Sequence, residues 1–168
     1  MTEEHTIDQG AVTRKLKVLA QKMPLRILVV DDDELERELI ADRLKAHDFE
    51  VACAANGEEA LALLEGQSIP VILVDWAMPI MNGIELTEQL RSRGTDDSCI
   101  IMLTSRDRTL DYEAAYRAGV DDYLTKKVHD TELLARIHAG LNTFALRRSL
   151  KDARAALADA LASQAHAA

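Results

Sequence analysis

Asp31, Asp32, Asp33 and Glu34 stand directly against the apolar run Ile27-Leu28-Val29-Val30. Carboxylates at that density repel one another, and no cation inside the run neutralises them. Three further apolar runs end on groups able to do chemistry: one on Asp75, one on Thr104-Ser105, and one leading into Lys126. Clustered carboxylates make a hard, oxygen-only environment suited to Mg²⁺, which takes few protein ligands and keeps several waters. Without a metal the like charges raise each other's pKa and destabilise the site. A metal beside an exposed aspartate, a hydroxyl and a lysine is the inventory for phosphoryl transfer to a carboxylate. The metal and the ammonium neutralise charge on the transferred group, and a threonine donates to its oxygens. Each residue alone has a plainer reading. Asp33 is best read as a helix cap, Asp75 as a strand-end aspartate, Thr104-Ser105 as a turn, and Lys126 and Lys127 as surface charges. It is their shared position at run ends that argues for a site.

The elements that must hold these residues follow from the pattern. Short β-rich runs fall at 26–30, 50–53, 71–74, 99–103 and 121–124, with helical segments at about 33–47, 57–65, 84–93 and 107–118 between them. Asn56-Gly57 and Asn82-Gly83 punctuate turns before two helices, and Asp130-Thr131-Glu132 makes a good acidic start for a last one. Apolar runs separated by helices predict a parallel sheet covered on both faces, hence a small doubly wound α/β fold of five strands. The pattern does not determine strand order; the common order for such a sheet is 2-1-3-4-5, with ligands at the carboxyl ends of the strands. In that order the ends of strands 1, 3, 4 and 5 converge on one pocket.

Bulk properties narrow the function. A chain of 168 residues is about one domain. The formal charge of −9 and the scarcity of aromatics (one Trp, three Tyr, two Phe) argue against nucleic acid as a direct partner. No apolar run approaches the ~18 residues needed to span a bilayer, and the acidic Met1-Thr2-Glu3-Glu4-His5 lacks the features of a signal peptide. Cys53 and Cys99 are lone cysteines in apolar runs, read as buried reduced thiols of a cytoplasmic protein. None of the five histidines (5, 47, 129, 138, 166) has metal-ligand spacing.

With VVDD at 29–32, VDWAMPIMNG at 74–83, LTS at 103–105 and GVDDYLTK at 119–126 in order, residues 25–140 resemble the receiver domain of two-component response regulators, similar to the chemotaxis regulator. The resemblance implies a signalling phosphoacceptor that catalyses only its own phosphorylation and dephosphorylation. Asp75 would be the acceptor and also a ligand of the metal. Asp32 would ligate Mg²⁺ directly, Asp31 mainly through water, and Ala77 through its backbone carbonyl. Thr104 and Tyr123 would rearrange as the switch, and Lys126 would pair with the carboxylate or phosphoryl oxygen. A histidine kinase or histidine phosphotransfer protein would supply the phosphoryl group. The face formed by the fourth helix, fifth strand and fifth helix would meet partners. Two departures stand out. Lys127 replaces the proline that usually follows the lysine in a cis bond. Because a cis bond before a non-proline residue costs ~3–4 kcal/mol, a trans bond or real strain is expected. Arg106, two residues after Thr104, either touches the phosphoryl group or is a solvated charge.

Three segments are expected: 1–24, a tail with a short helix (Val12, Leu16, Leu19 and Met23 at helical spacing); 25–142, the receiver; and 143–168, a helical extension. Leu146, Leu150, Ala153, Leu157, Ala160 and Gln164 step by 4, 3, 4, 3 and 4, a short coiled-coil seam. The flanking helices are read as a homodimer interface or a dock for a separate partner, against the plainer reading of a helix end packing on its own domain. Rival functions fit less well. An aspartate-nucleophile phosphatase usually carries its nucleophile after the first strand and a cap domain, and a flavodoxin-like cofactor binder needs a Ser/Thr/Gly-rich phosphate loop where this chain is anionic. The remaining alternative is a degenerate receiver used as a phosphorylation-independent scaffold.

Overall fold

The computed structural model describes residues 25–93, 97–105 and 112–166. The expected N-terminal helix and Arg106 lie outside these residues. Five strands, β1 (Arg26–Val30), β2 (Glu50–Ala54), β3 (Val71–Asp75), β4 (Cys99–Thr104) and β5 (Asp122–Thr125), alternate with five helices. The helices are α1 (Glu34–Lys45), α2 (Gly57–Leu64), α3 (Gly83–Ser92), α4 (Tyr112–Ala118) and α5 (Asp130–His166). The strands form one parallel sheet in the order β2-β1-β3-β4-β5. This is the doubly wound α/β fold that the alternating pattern predicted.

Side chains alternate along a strand, so each central strand feeds two cores. Leu28, Val30, Ile72, Val74, Ile100 and Met102 pack with Ala60, Leu61, Leu86 and Leu90 from α2 and α3. Ile27, Val29, Val71, Leu73, Ile101 and Leu103 pack with Ile40 and Leu44 of α1 and with Leu133 and Ile137 of α5. Burying a side chain such as Ile72 or Ile101 stabilises the fold by about 1.5–3 kcal/mol. The same alternation carries Asp31 and Asp75, two residues beyond Val29 and Leu73, toward the α1 side. Thr104, two beyond Met102, goes to the other.

The turn residues act as helix caps. Asp33, Asn56 and Asn82 each accept the backbone N–H three residues on, and Glu85 completes a capping box on Asn82. Cys53 departs from expectation. It is exposed, because β2 is an edge strand, whereas Cys99 on central β4 is buried. The Cys99 thiol is pushed up to about 12 by burial and by neighbouring Asp121.

The last helix is a single element of 37 residues. Gly140 lets it lie against the sheet, since a Cβ there would come within 3.1 Å of Cys99 Sγ and Val71 Cγ2. Its buried positions run to Phe144. Beyond that, Arg147 and Arg148 reach back to the base of the sheet, to the Ser98 carbonyl at 3.0 Å and Ser68 Oγ at 3.1 Å. Lys151 reaches Asp97 at 3.4 Å. Leu146, Leu150, Leu157 and Leu161 are exposed, as are Ala153 and Ala160. No described helix is long and apolar enough to cross a membrane.

Candidate functional site

The site lies at the carboxyl ends of β1 and β3, where the strand pattern said to look. Asp31, one residue past β1, is fully buried, and its N–H donates to the Ala54 carbonyl at 3.2 Å. Asp31 Oδ1 accepts the Asp33 N–H at 3.0 Å. Asp75, the last residue of β3, is 8% exposed, and its Oδ2 accepts the Ala77 N–H at 3.2 Å. Asp32 is exposed beside them. Carboxylate oxygens of Asp31, Asp32 and Asp75 lie within 4.8 Å of one another.

Lys126 closes the group. Its N–H donates to the Thr104 carbonyl at 3.0 Å, which ties the residue after β5 to the end of β4. Its ammonium lies 2.7 Å from Asp31 Oδ2 and 3.0 Å from Asp75 Oδ1. Every described peptide bond is trans, Lys126–Lys127 included. With this bond trans, Lys126 meets both carboxylates. Burial works against the Lys126 charge, but the carboxylates of Asp31 and Asp75 outweigh it and raise its pKa. Burial raises the carboxyls of both Asp31 and Asp75, and the ammonium offsets this only in part. Asp31 Oδ2 is buried without a well-aligned hydrogen bond. Two cations, the Lys126 ammonium and the Arg37 guanidinium that donates to the Asp31 carbonyl at 2.6 Å, still leave the carboxylates of Asp31, Asp32 and Asp75 short of positive charge.

That shortage is the test of fit for a divalent cation. Three hard oxygen donors, a partly satisfied buried carboxylate and an open cleft of about 230 Å³ lined by Asp32, Asp75, Ala77, Ser105 and Lys126 suit Mg²⁺.

Two expected residues stand apart. The Thr104 hydroxyl is buried and donates to the Ser105 carbonyl at 2.9 Å; Ser105, not Thr104, lines the cleft. Tyr123 is half-buried, edge-on to Tyr112 at 5.1 Å between ring centroids, with its hydroxyl donating to the Tyr112 carbonyl at 3.4 Å. The pleat explains both, since these side chains belong to the α4 side of the sheet. One residue escaped the sequence reading. Glu36, in the first turn of α1, places Oε2 3.2 Å from the Lys126 ammonium.

The loop from Asp75 to α3 is tight. The Gly83 N–H donates to the Trp76 carbonyl at 3.1 Å, and a Cβ on Gly83 would lie 2.4 Å from the Asp75 carbonyl oxygen. Ile80 in the same loop has φ +72° and is 74% exposed. Left-handed backbone at a β-branched residue is strained.

A five-stranded parallel sheet with an aspartate cluster and a lysine at its carboxyl edge defines a class of phosphoryl-accepting signalling domains. The response regulator receiver domain family matches residues 27–138, and the chain belongs to that family. Response regulator MprA of Mycolicibacterium vanbaalenii is 42% identical over 130 residues, 77% of this chain and 54% of that protein. Transcriptional regulatory protein CpxR of Klebsiella pneumoniae is 43% identical over 114 residues, 68% of this chain and 48% of that one. The chain spans about half the length of these curated relatives. Among solved structures, chemotaxis protein CheY4 of Vibrio cholerae superposes with a TM-score of 0.64 at 29% identity, covering 69% of this chain and 98% of that one. The Francisella response regulator 1452 receiver domain gives 0.63 at 32% identity, covering 70% and 96%.

Proposed function

We propose that this chain is a two-component receiver in which Asp75 accepts a phosphoryl group from a histidine kinase or histidine phosphotransfer protein, catalysing its own phosphorylation and dephosphorylation. The observation that carries the reading is the 3.0 Å Lys126–Asp75 ion pair beside Asp31 and Asp32, kept although Lys127 replaces proline. An Asp75 oxygen attacks the phosphorus of a phosphohistidine, the P–N bond breaks, and the imidazole leaves with the electron pair and takes a proton. Lys126 meets the charge on the transferred group. Asp32 and the Ala77 carbonyl would hold Mg²⁺ directly and Asp31 through water; when bound, the metal would neutralise phosphoryl charge. Thr104 and Tyr123 would then rearrange, biasing the surface of α4, β5 and α5.

Exposed Leu35 and Leu39 form an apolar stripe on α1 beside Glu36 and suit a helical phosphodonor. The exposed leucines of the α5 extension suit a second copy of the chain, in a cytoplasmic setting. Intact mass after incubation with Mg²⁺ and acetyl phosphate tests the core claim. Wild type should gain one phosphoryl group and Asp75→Asn none; no gain in wild type with metal binding intact would favour a scaffold. Truncation after residue 142 should leave a monomer if the α5 seam dimerises, and an unchanged oligomeric state would remove that claim.

A further inference from the structure

We infer that Glu36 is a positioning residue that restrains Lys126 and competes with the incoming phosphoryl group for its ammonium; this rests on the proposed phosphoacceptor reading. The ammonium carries three donors, and three carboxylates already crowd it: Asp31 at 2.7 Å, Asp75 at 3.0 Å and Glu36 at 3.2 Å. These three are not equivalent. Asp31 and Asp75 are strand-end residues, each with its second oxygen fixed by a backbone N–H at 3.0 and 3.2 Å. Their side chains are 0% and 11% exposed, against 42% for Glu36. Among the described residues, Lys126 is the one group that the Glu36 carboxylate meets. Glu36 is therefore the longest, wettest and least restrained of the three contacts, and the one that yields at least cost. For Lys126 to reach a phosphoryl oxygen, one carboxylate must let go, and the geometry selects Glu36.

Two effects of opposite sign follow from the same charge. Glu36 adds a negative charge to the cleft, which favours a bound cation. It also occupies the ammonium and repels an incoming anion, which slows phosphoryl transfer. A residue that merely supported the fold would move both quantities in one direction. In Glu36→Gln the side chain keeps its shape and loses its charge. In Glu36→Asp the charge stays, but the side chain is one methylene too short to hold Lys126.

The experiment uses the full chain. Mg²⁺ affinity is read from fluorescence of Trp76, which lines the cleft, and Asp75 phosphorylation by acetyl phosphate is followed at saturating Mg²⁺ by intact mass. Glu36→Gln should bind Mg²⁺ about twofold to fivefold more weakly and be phosphorylated faster by a similar factor, the range set by one partly exposed ion pair. Glu36→Asp should retain Mg²⁺ affinity and still be phosphorylated faster. Both quantities unchanged, or both reduced together, would overturn the inference. If wild type takes no phosphoryl group, the phosphoacceptor reading falls by itself. The Mg²⁺ titration then decides Glu36: weaker binding in Glu36→Gln alone supports it, and equal binding in all three proteins overturns it.

Discussion

The two ends of the sheet carry charge clusters of opposite composition. At the carboxyl end Lys126 faces Asp31, Asp75 and Glu36, and Arg37 adds a second cation by donating to the Asp31 carbonyl at 2.6 Å. At the amino end, apart from the separate pairs Arg26–Glu50 and Lys151–Asp97, the Asp121 carboxylate faces two cations. Arg91 reaches it at 2.7 Å, Arg147 binds both its oxygens, and the Ile100 N–H donates to Oδ2 at 2.7 Å. The two arginines also share the Ser98 carbonyl, so this end is a saturated network of fork-shaped donors on one carboxylate. The other end has excess negative charge, a buried oxygen without an aligned donor and a strained loop. Saturation suits a fixed joint between α3, β4, β5 and α5. A charge deficit suits a place where something else must bind.

The largest expected effect breaks the saturated end. Asp121→Ala leaves two guanidiniums and a backbone N–H facing one another without their acceptor, and should cost about 2–4 kcal/mol. Urea denaturation measures it, and a loss below ~1 kcal/mol would mean that the network is ornamental. Next comes Ile80→Asn at the strained end. The residue is exposed, so little packing is lost, and Asn accepts left-handed backbone. A gain of about 1 kcal/mol is expected by the same measurement.

Smaller, and of the same sign, is Asp75→Asn without metal. Burial raises the Asp75 carboxyl above its ordinary 3.8. The protonated form is thus favoured by folding: its stabilisation is complete below 3.8 and lost as pH rises through the raised value. At neutral pH the charged carboxyl is a burden that the amide removes, so the variant should melt higher. The gap should close under acid conditions and narrow when Mg²⁺ is added to wild type. No gap at neutral pH in a chelator would refute the charge deficit. The smallest effect belongs to neither end. His138, half-buried on α5 with its ring 6.1 Å from that of Phe49, is pushed below 6.5 by burial. Its contribution is present above 6.5 and lost as pH falls from there, because the unfolded chain takes the proton first. In His138→Leu the stability slope between about pH 7 and 5 should flatten.

The sequence made the two ends unequally legible. Strand ends carrying Asp31, Asp75 and Lys126 were readable because a chemical group at the close of an apolar run has a place in any doubly wound sheet. Asp33 was readable as a cap because local hydrogen bonding decides it. The amino-end network was not foreseen, since Arg91, Asp121 and Arg147 come from three distant segments with no shared spacing. Glu36 was missed because one acidic residue among many on α1 looks like a solvated face until Lys126 is placed beside it. Cys53 was misjudged because it was read from the apolar residues around it, although the expected order 2-1-3-4-5 places β2, with its weaker run EVACA, at an edge.

The continuity of α5 has a mechanical consequence. From Phe144 to His166 the helix continues for 22 residues, about 33 Å at the rise of an α-helix. Its root is held by the arginines on Ser98, Ser68 and Asp121. A tilt of about 5° at that root sweeps the tip through about 3 Å. The helix is a lever whose fulcrum is the base of the sheet. A displacement there too slight to disturb the core becomes, at the far tip, a movement of several ångströms.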